Sequence, residues 1–157
     1  MINIAAVVEH LGPSQKSFYM INEFNKTLSA LNLCASVFTV KPAIPVIPTM
    51  FSCRSVAFMS GYHHNLFATT IGEANTLLKG NNRAAKFLYL WDLSWVDSPM
   101  NYNEVCSVLR DDRLKIIARS EDHAEMIDNF CNKKTVGVVD NWNLDSLVEM
   151  VNEHGNK

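Results

Sequence analysis

Apolar positions along this chain follow two rhythms, and the two alternate. INIAAVV at Ile2–Val8 is a continuous apolar run of strand length. Such a run, without polar alternation, suits a strand covered on both faces. Glu9-His10-Leu11-Gly12-Pro13-Ser14 interrupts it; Gly-Pro is a turn signal and Ser14 is placed to cap a helix. Phe18, Ile21, Phe24, Leu28 and Leu31 then recur at helical spacing, which predicts an amphipathic helix with one apolar stripe.

The same alternation continues. A second strand is expected at 34–40 (CASVFTV), then an extended connector carrying Pro42, Pro45 and Pro48, each of which fixes φ and lacks a donor. SVAFM at 55–59 reads as a third strand, followed by a loop with Tyr62, His63 and His64. A short strand at 66–70 leads to a helix at 71–79, closed by Gly80. KFLYLW (86–91) is the next strand, followed by the loop Asp92-Leu93-Ser94-Trp95 and a helix at 103–109. LKIIA (114–118) is a strand, Ser120 caps a helix reaching about residue 130, and TVGVV (135–139) is the last strand. Asn143 caps a final helix with Leu144, Leu147, Val148 and Val151 on one face. Strands alternating with helices predict right-handed βαβ units. The expected fold is α/β: one doubly wound, mostly parallel, Rossmann-like sheet with helices on both faces, formed by residues 1–157 as one domain.

Composition narrows the classes. Hydrophobic residues make up 48 % of the 157, enough for a large core. A net charge of −2 without charge blocks argues against a nucleic-acid-binding surface. Cys34, Cys53, Cys106 and Cys131 form no CxxC pair, so no zinc-ribbon or redox motif is expected, and a reduced, cytoplasmic compartment is the simplest setting. Cys34 and Cys106 fall in apolar segments and are expected as buried free thiols. The amino terminus lacks a signal-peptide pattern, and no apolar run approaches the ~20 residues of a membrane span.

In open parallel sheets, ligands bind beyond the carboxyl ends of the strands. That rule nominates Glu9, His10, Gly12 and Ser14; Tyr62 and His63; Asp92 and Trp95; and Arg119 and Ser120. His10 suits acid–base work. Asp92 with Trp95 offers a carboxylate and a stacking ring, and Arg119-Ser120 at a strand-to-helix junction offers a guanidinium beside a helix dipole. The Gly12 loop is no GxGxxG fingerprint, and His63-His64 lacks the partners of a metal set, so neither cofactor nor metal is expected. Walker, GxSxG and HExxH motifs are absent from the sequence.

LKIIARSEDHAEMIDNFCNKKTVGVVDNWNLDSLVEMV, from residue 114 to 151, resembles the end of the first domain of GT-B glycosyltransferases. FATTIGEANTLL and KFLYLWDLSWV are similar to that domain's middle strands, and the first strand, loop and helix to its acceptor-side loop. The resemblance implies glycosyl transfer from a nucleotide sugar without an obligatory metal, with His10 and Asp92 as catalytic groups at the cleft, Gly12 beside them, and Arg119 and Ser120 nearby. The chain departs from the pattern in carrying one glycine in that loop and no second, donor-binding domain with its E-x7-E motif. The expected partners are a nucleotide sugar or sugar acceptor, with a separate donor-domain chain or a second copy closing the cleft. Two other readings stay open: a non-catalytic interaction module on the same fold, and a small nucleotide- or flavin-binding domain.

Overall fold

A computed structural model describes residues 1–97 and 101–156. Seven strands form one all-parallel sheet: β1 (Ile2–Val8), β2 (Leu33–Thr39), β3 (Ser52–Ser55), β4 (Asn65–Ala68), β5 (Ala85–Leu90), β6 (Leu114–Ala118) and β7 (Gly137–Val138). Their spatial order is β3-β2-β1-β4-β5-β6-β7. This is the doubly wound arrangement expected, and it reverses direction between β1 and β4.

The continuous run of β1 has the predicted cause. Ile4, Ala6 and Val8 point into one core cluster, and Ala5 and Val7 into the other. Helices α2 (Ile71–Lys79), α3 (Tyr102–Arg110) and α4 (Glu121–Cys131) supply the cluster of Ala5 and Val7. The opposite cluster is closed by α1 (Gln15–Asn25) and α5 (Leu144–His154). Right-handed crossovers explain the split: chain moving from β1 to β2 must cross on one face, and chain moving from β4 towards β7 on the other. That leaves β4, β5 and β6 bare on the α1 face. α5 returns to cover them, together with Trp142, which is fully buried against Tyr89 and Phe24.

Several sequence expectations need correction. The third strand is at Ser52–Ser55, and most of 55–59 is instead a 3₁₀ turn, Val56–Gly61, because the Ser55 side chain accepts from the Ala57 N–H and starts a turn. Tyr62 and His63 therefore precede β4 and do not follow a strand. The first helix ends at Asn25, whose side chain donates to the Pro48 carbonyl and accepts from the Met50 N–H. The stripe is Ser17, Met20, Ile21 and Phe24; Leu28 and Leu31 lie beyond the helix and are exposed, and Phe18 lies on its outer side. Cys34 is exposed, since β2 lies next to the uncovered edge strand β3, whereas Cys106 is buried as expected. None of the four cysteines is in a disulfide. No helix among the described residues is long and apolar enough to cross a membrane.

Asn65 is the one fully buried amide at the amino ends of the central strands. It donates to the carbonyls of Asn3 and Asn156 and accepts from the Asn156 N–H, and Asn156 in turn donates to the carbonyls of His63, His64 and Arg83. The chain end after α5 is thus clamped across β1, β4 and β5. Gly155 is required there, because a Cβ would collide with the Asn65 side chain and the Val151 carbonyl. Replacing Asn65 by Ala leaves buried backbone groups unpartnered. Asn65→Ala is expected to lower the unfolding free energy by about 2–3 kcal/mol, measured by urea denaturation; an unchanged midpoint would show that the clamp adds nothing.

Candidate functional site

The carboxyl end of β1 continues as a pinned loop. The carbonyls of Val8 and Glu9 accept from Val40 and Lys41 N–H, and the Leu11 carbonyl accepts from Val46 N–H, so the proline connector holds the loop from outside. On its inner side, the Ser14 hydroxyl accepts from Ser17 N–H at 3.0 Å and donates to the Ser17 hydroxyl at 2.8 Å, capping α1 as predicted. Gly12 N–H donates to His10 Nδ1 at 3.0 Å. A Cβ on Gly12 would sit 3.1 Å from that nitrogen, so the close approach favours glycine.

A cleft of about 470 Å³ opens beyond this loop. It is bounded by Glu9, His10 and Ser14 after β1, by the first turn of α1 with Lys16, by Trp91 and Asp92 after β5, and by Arg119 after β6. The cleft spans the switch point, where chain leaving β1 and chain leaving β5 and β6 diverge to opposite faces. A larger groove of about 580 Å³ runs along α4, lined by residues such as Asp122, Glu125, Asp128 and Lys133. It lies on a helix flank away from the strand ends, and the smaller cleft is where the chemistry converges.

Two cations face two carboxylates around the opening. Arg119 lies 3.8 Å over the Trp91 ring and donates to Asn141 Oδ1 at 2.9 Å, so a stacked ring and an amide fix the guanidinium. Asn141 and Trp142 both adopt positive φ, 46° and 63°. This is costly for a tryptophan. Burial of the Trp142 ring and the bond from its N–H to Tyr89 Oη hold it there, and Tyr89 Oη donates in turn to the Val139 carbonyl. Glu9 is drawn outward by Lys41 at 2.6 Å, and that partner holds its carboxyl below the usual range. α1 carries Lys16 and no acid in its first turn, so the positive end of its dipole is uncompensated within the helix.

Of the residues named from sequence, Glu9, His10, Ser14, Asp92 and Arg119 meet at this cleft. Gly12 sits beneath His10, buried, and acts through its N–H. Ser120 caps α4 by accepting from His123 N–H. Tyr62 packs against Phe38 on the α2-side face of the sheet, and His63 lies at the amino end of β4, so neither joins the cleft. Trp95 is a core residue: it is 5 % exposed, packs against Phe130 and donates from Nε1 to His123 Nε2 at 3.2 Å. Lys16 and Trp91 were missed. Trp91 reads as the last apolar residue of a strand, and Lys16 as an ordinary helix surface residue, although the Ser14 cap already places Lys16 in a first turn. Among the described residues, no three metal-ligating side chains cluster.

The fold and cleft define a Rossmann-like parallel α/β domain with a polar, small-molecule-sized opening at its switch point. In comparison with known proteins, no protein-family model, curated protein or solved structure matches the chain significantly.

The Trp95–His123 pair carries a pH prediction. Burial lowers the His123 pKa from its ordinary 6.5, against the opposing pull of Asp92. The unfolded chain then takes up a proton before the native one does. Stability is fully present above that ordinary value and falls as pH drops below it. His123→Gln is expected to flatten the slope of unfolding free energy between pH about 7 and about 5. An unchanged slope would place the titration elsewhere.

Proposed function

We propose that the cleft binds a phosphate- or sugar-bearing small molecule, and that the chain works as the acceptor-side half of a glycosyl-transfer enzyme. The observation that carries this reading is the convergence of His10, Asp92, Lys16 and Arg119 on one opening at the switch point. An opening of about 470 Å³ is within the usual size of ligand pockets. The two cations and the open end of α1 favour phosphoryl oxygens. The carboxylate of Asp92 suits hydroxyl groups of a sugar. In this scheme Asp92 accepts the proton of an acceptor hydroxyl, while Arg119 and Lys16 hold the negative charge of the donor phosphates.

The uncovered β3 edge supports a partner chain. All four of its residues are exposed, and Phe58, which follows it, is 68 % exposed.

The test is a thermal-shift screen of the whole chain against UDP, GDP, their common sugars and FMN. A ligand at a hundred times its Kd stabilises by about 2.7 kcal/mol, a shift of about 5–10 °C at this size. We expect a shift with a nucleotide sugar that is lost in Arg119→Ala. A shift with FMN alone would favour a flavin-binding domain, and no shift with any of them would remove the ligand-binding reading.

A further inference from the structure

His10 lines the cleft, and its ring meets the loop through Nδ1. Its Nδ1 accepts the Gly12 N–H at 3.0 Å, so that nitrogen carries a lone pair and no proton. A neutral imidazole has a single N–H, and here it is therefore on Nε2. No acceptor among the described residues meets Nε2. A nitrogen that carries the proton donates a hydrogen bond and has no lone pair with which to take a proton from a substrate.

We propose that His10 serves the cleft as a fixed hydrogen-bond donor to a ligand oxyanion of the phosphoryl kind, and not as the proton acceptor. The inference deepens the ligand-binding reading of the cleft and rests on it. Three features of the loop make the donor fixed. The Gly12 backbone cannot change its own polarity, so the tautomer is set by a group that does not titrate. The His10 carbonyl is within 3.5 Å of the Ser17 hydroxyl, which ties the residue's own backbone to the first turn of α1. Leu11, between the two partners, is buried, and its carbonyl accepts from Val46 N–H. The backbone that carries the ring is thus held on both sides of His10, and the ring itself by the Gly12 N–H.

The ligand chemistry follows from the neighbours. Lys16 and Arg119 put two cations on the same opening. Glu9, the nearer carboxylate in sequence, is engaged by Lys41. A donor among cations is complementary to phosphoryl oxygen. The proton-accepting role in the cleft then falls to a carboxylate, and Asp92 lines the opposite, β5 side.

The test has two arms on the whole chain. Ring-nitrogen NMR of His10 in the free protein is expected to show the Nε2–H tautomer; an Nδ1–H tautomer would overturn the inference whatever binds. In the second arm, binding of UDP and of inorganic phosphate is measured by calorimetry for the wild type, His10→Gln and His10→Asn. Gln places an amide donor near the Nε2 position. Asn places its polar atoms near Nδ1 and offers nothing at Nε2. Loss of one hydrogen bond to a charged oxygen corresponds to about tenfold or more in affinity. We expect His10→Gln to bind UDP within about threefold of wild type and His10→Asn about tenfold more weakly. The reverse order, or equal binding by all three, sinks the donor role alone. Failure of the wild type to bind either phosphate probe sinks the ligand-binding reading and this inference with it.

Discussion

Burial of β1 on both faces is the constraint from which the rest of the molecule follows. Five consecutive residues, Ile4 to Val8, are fully or almost fully withdrawn from water. At about 25 cal/mol per Å² of apolar surface, leaving either face open would forfeit several kcal/mol from this strand alone. One helix cannot serve both faces. The chain resolves this by leaving β1 in one direction for β2 and returning on its other side as β4. Right-handed crossovers then place α1 on one face and α2, α3 and α4 on the other. The crevice at the switch point is the geometric by-product of covering β1 twice, and it is where the polar residues gather.

Covering the sheet in this way leaves a deficit on the α1 face beyond β1, and the carboxyl-terminal third of the chain fills it. After β7 the backbone must double back sharply, and two successive residues with positive φ make the turn. The strain is offset by placing the Trp142 ring between Tyr89 and Phe24. The same turn delivers the Asn141 amide to Arg119. A structural necessity, closing the back of the sheet, thereby fixes the best-held cation of the cleft. At the other end of α5 the Asn65 clamp locks the return. The position of Arg119 thus depends on packing across the sheet, and its behaviour on substitution reports on the turn as well as on any ligand.

Much of the fold was legible because continuous apolar runs and capped helices are local signals. Ile2–Val8, Leu114–Ala118 and the helix at Ile71–Lys79 are found where the pattern places them. The expected caps Ser14, Ser120 and Asn143 each accept a backbone N–H of the first helical turn. The failures share a cause. SVAFM has strand composition, but the Ser55 side chain offers a competing local bond and starts a 3₁₀ turn, and no helix covers the edge to reward an extended chain. That single misreading moved Tyr62 and His63 from the wrong end of the sheet into the candidate site. Leu28 and Leu31 fit helical spacing, yet after Asn25, whose side chain is tied to Pro48 and Met50 more than twenty residues away, the α-helix tightens into a 3₁₀ turn at Lys26–Ser29 and both leucines are exposed. Long-range bonds of this kind leave no periodic trace.

The cleft was partly legible for a different reason. Position after a strand is enough to nominate His10, Asp92 and Arg119, since topology rather than side-chain identity brings strand ends together. What a residue does at that position depends on one further contact that sequence cannot display. Trp95 has the composition of a stacking platform, but its indole N–H goes to His123 and its ring to Phe130, so it anchors α4. Trp91, which ends the strand four residues earlier, carries Arg119 instead. His10 has the composition of a general base, but the backbone N–H two residues on takes the lone pair a base would use. The glycine that permits this contact is the single glycine of the loop, and its value lies in bringing a backbone donor within 3.0 Å of an imidazole. A substitution at Gly12 therefore acts on the cleft through His10, without touching a ligand itself.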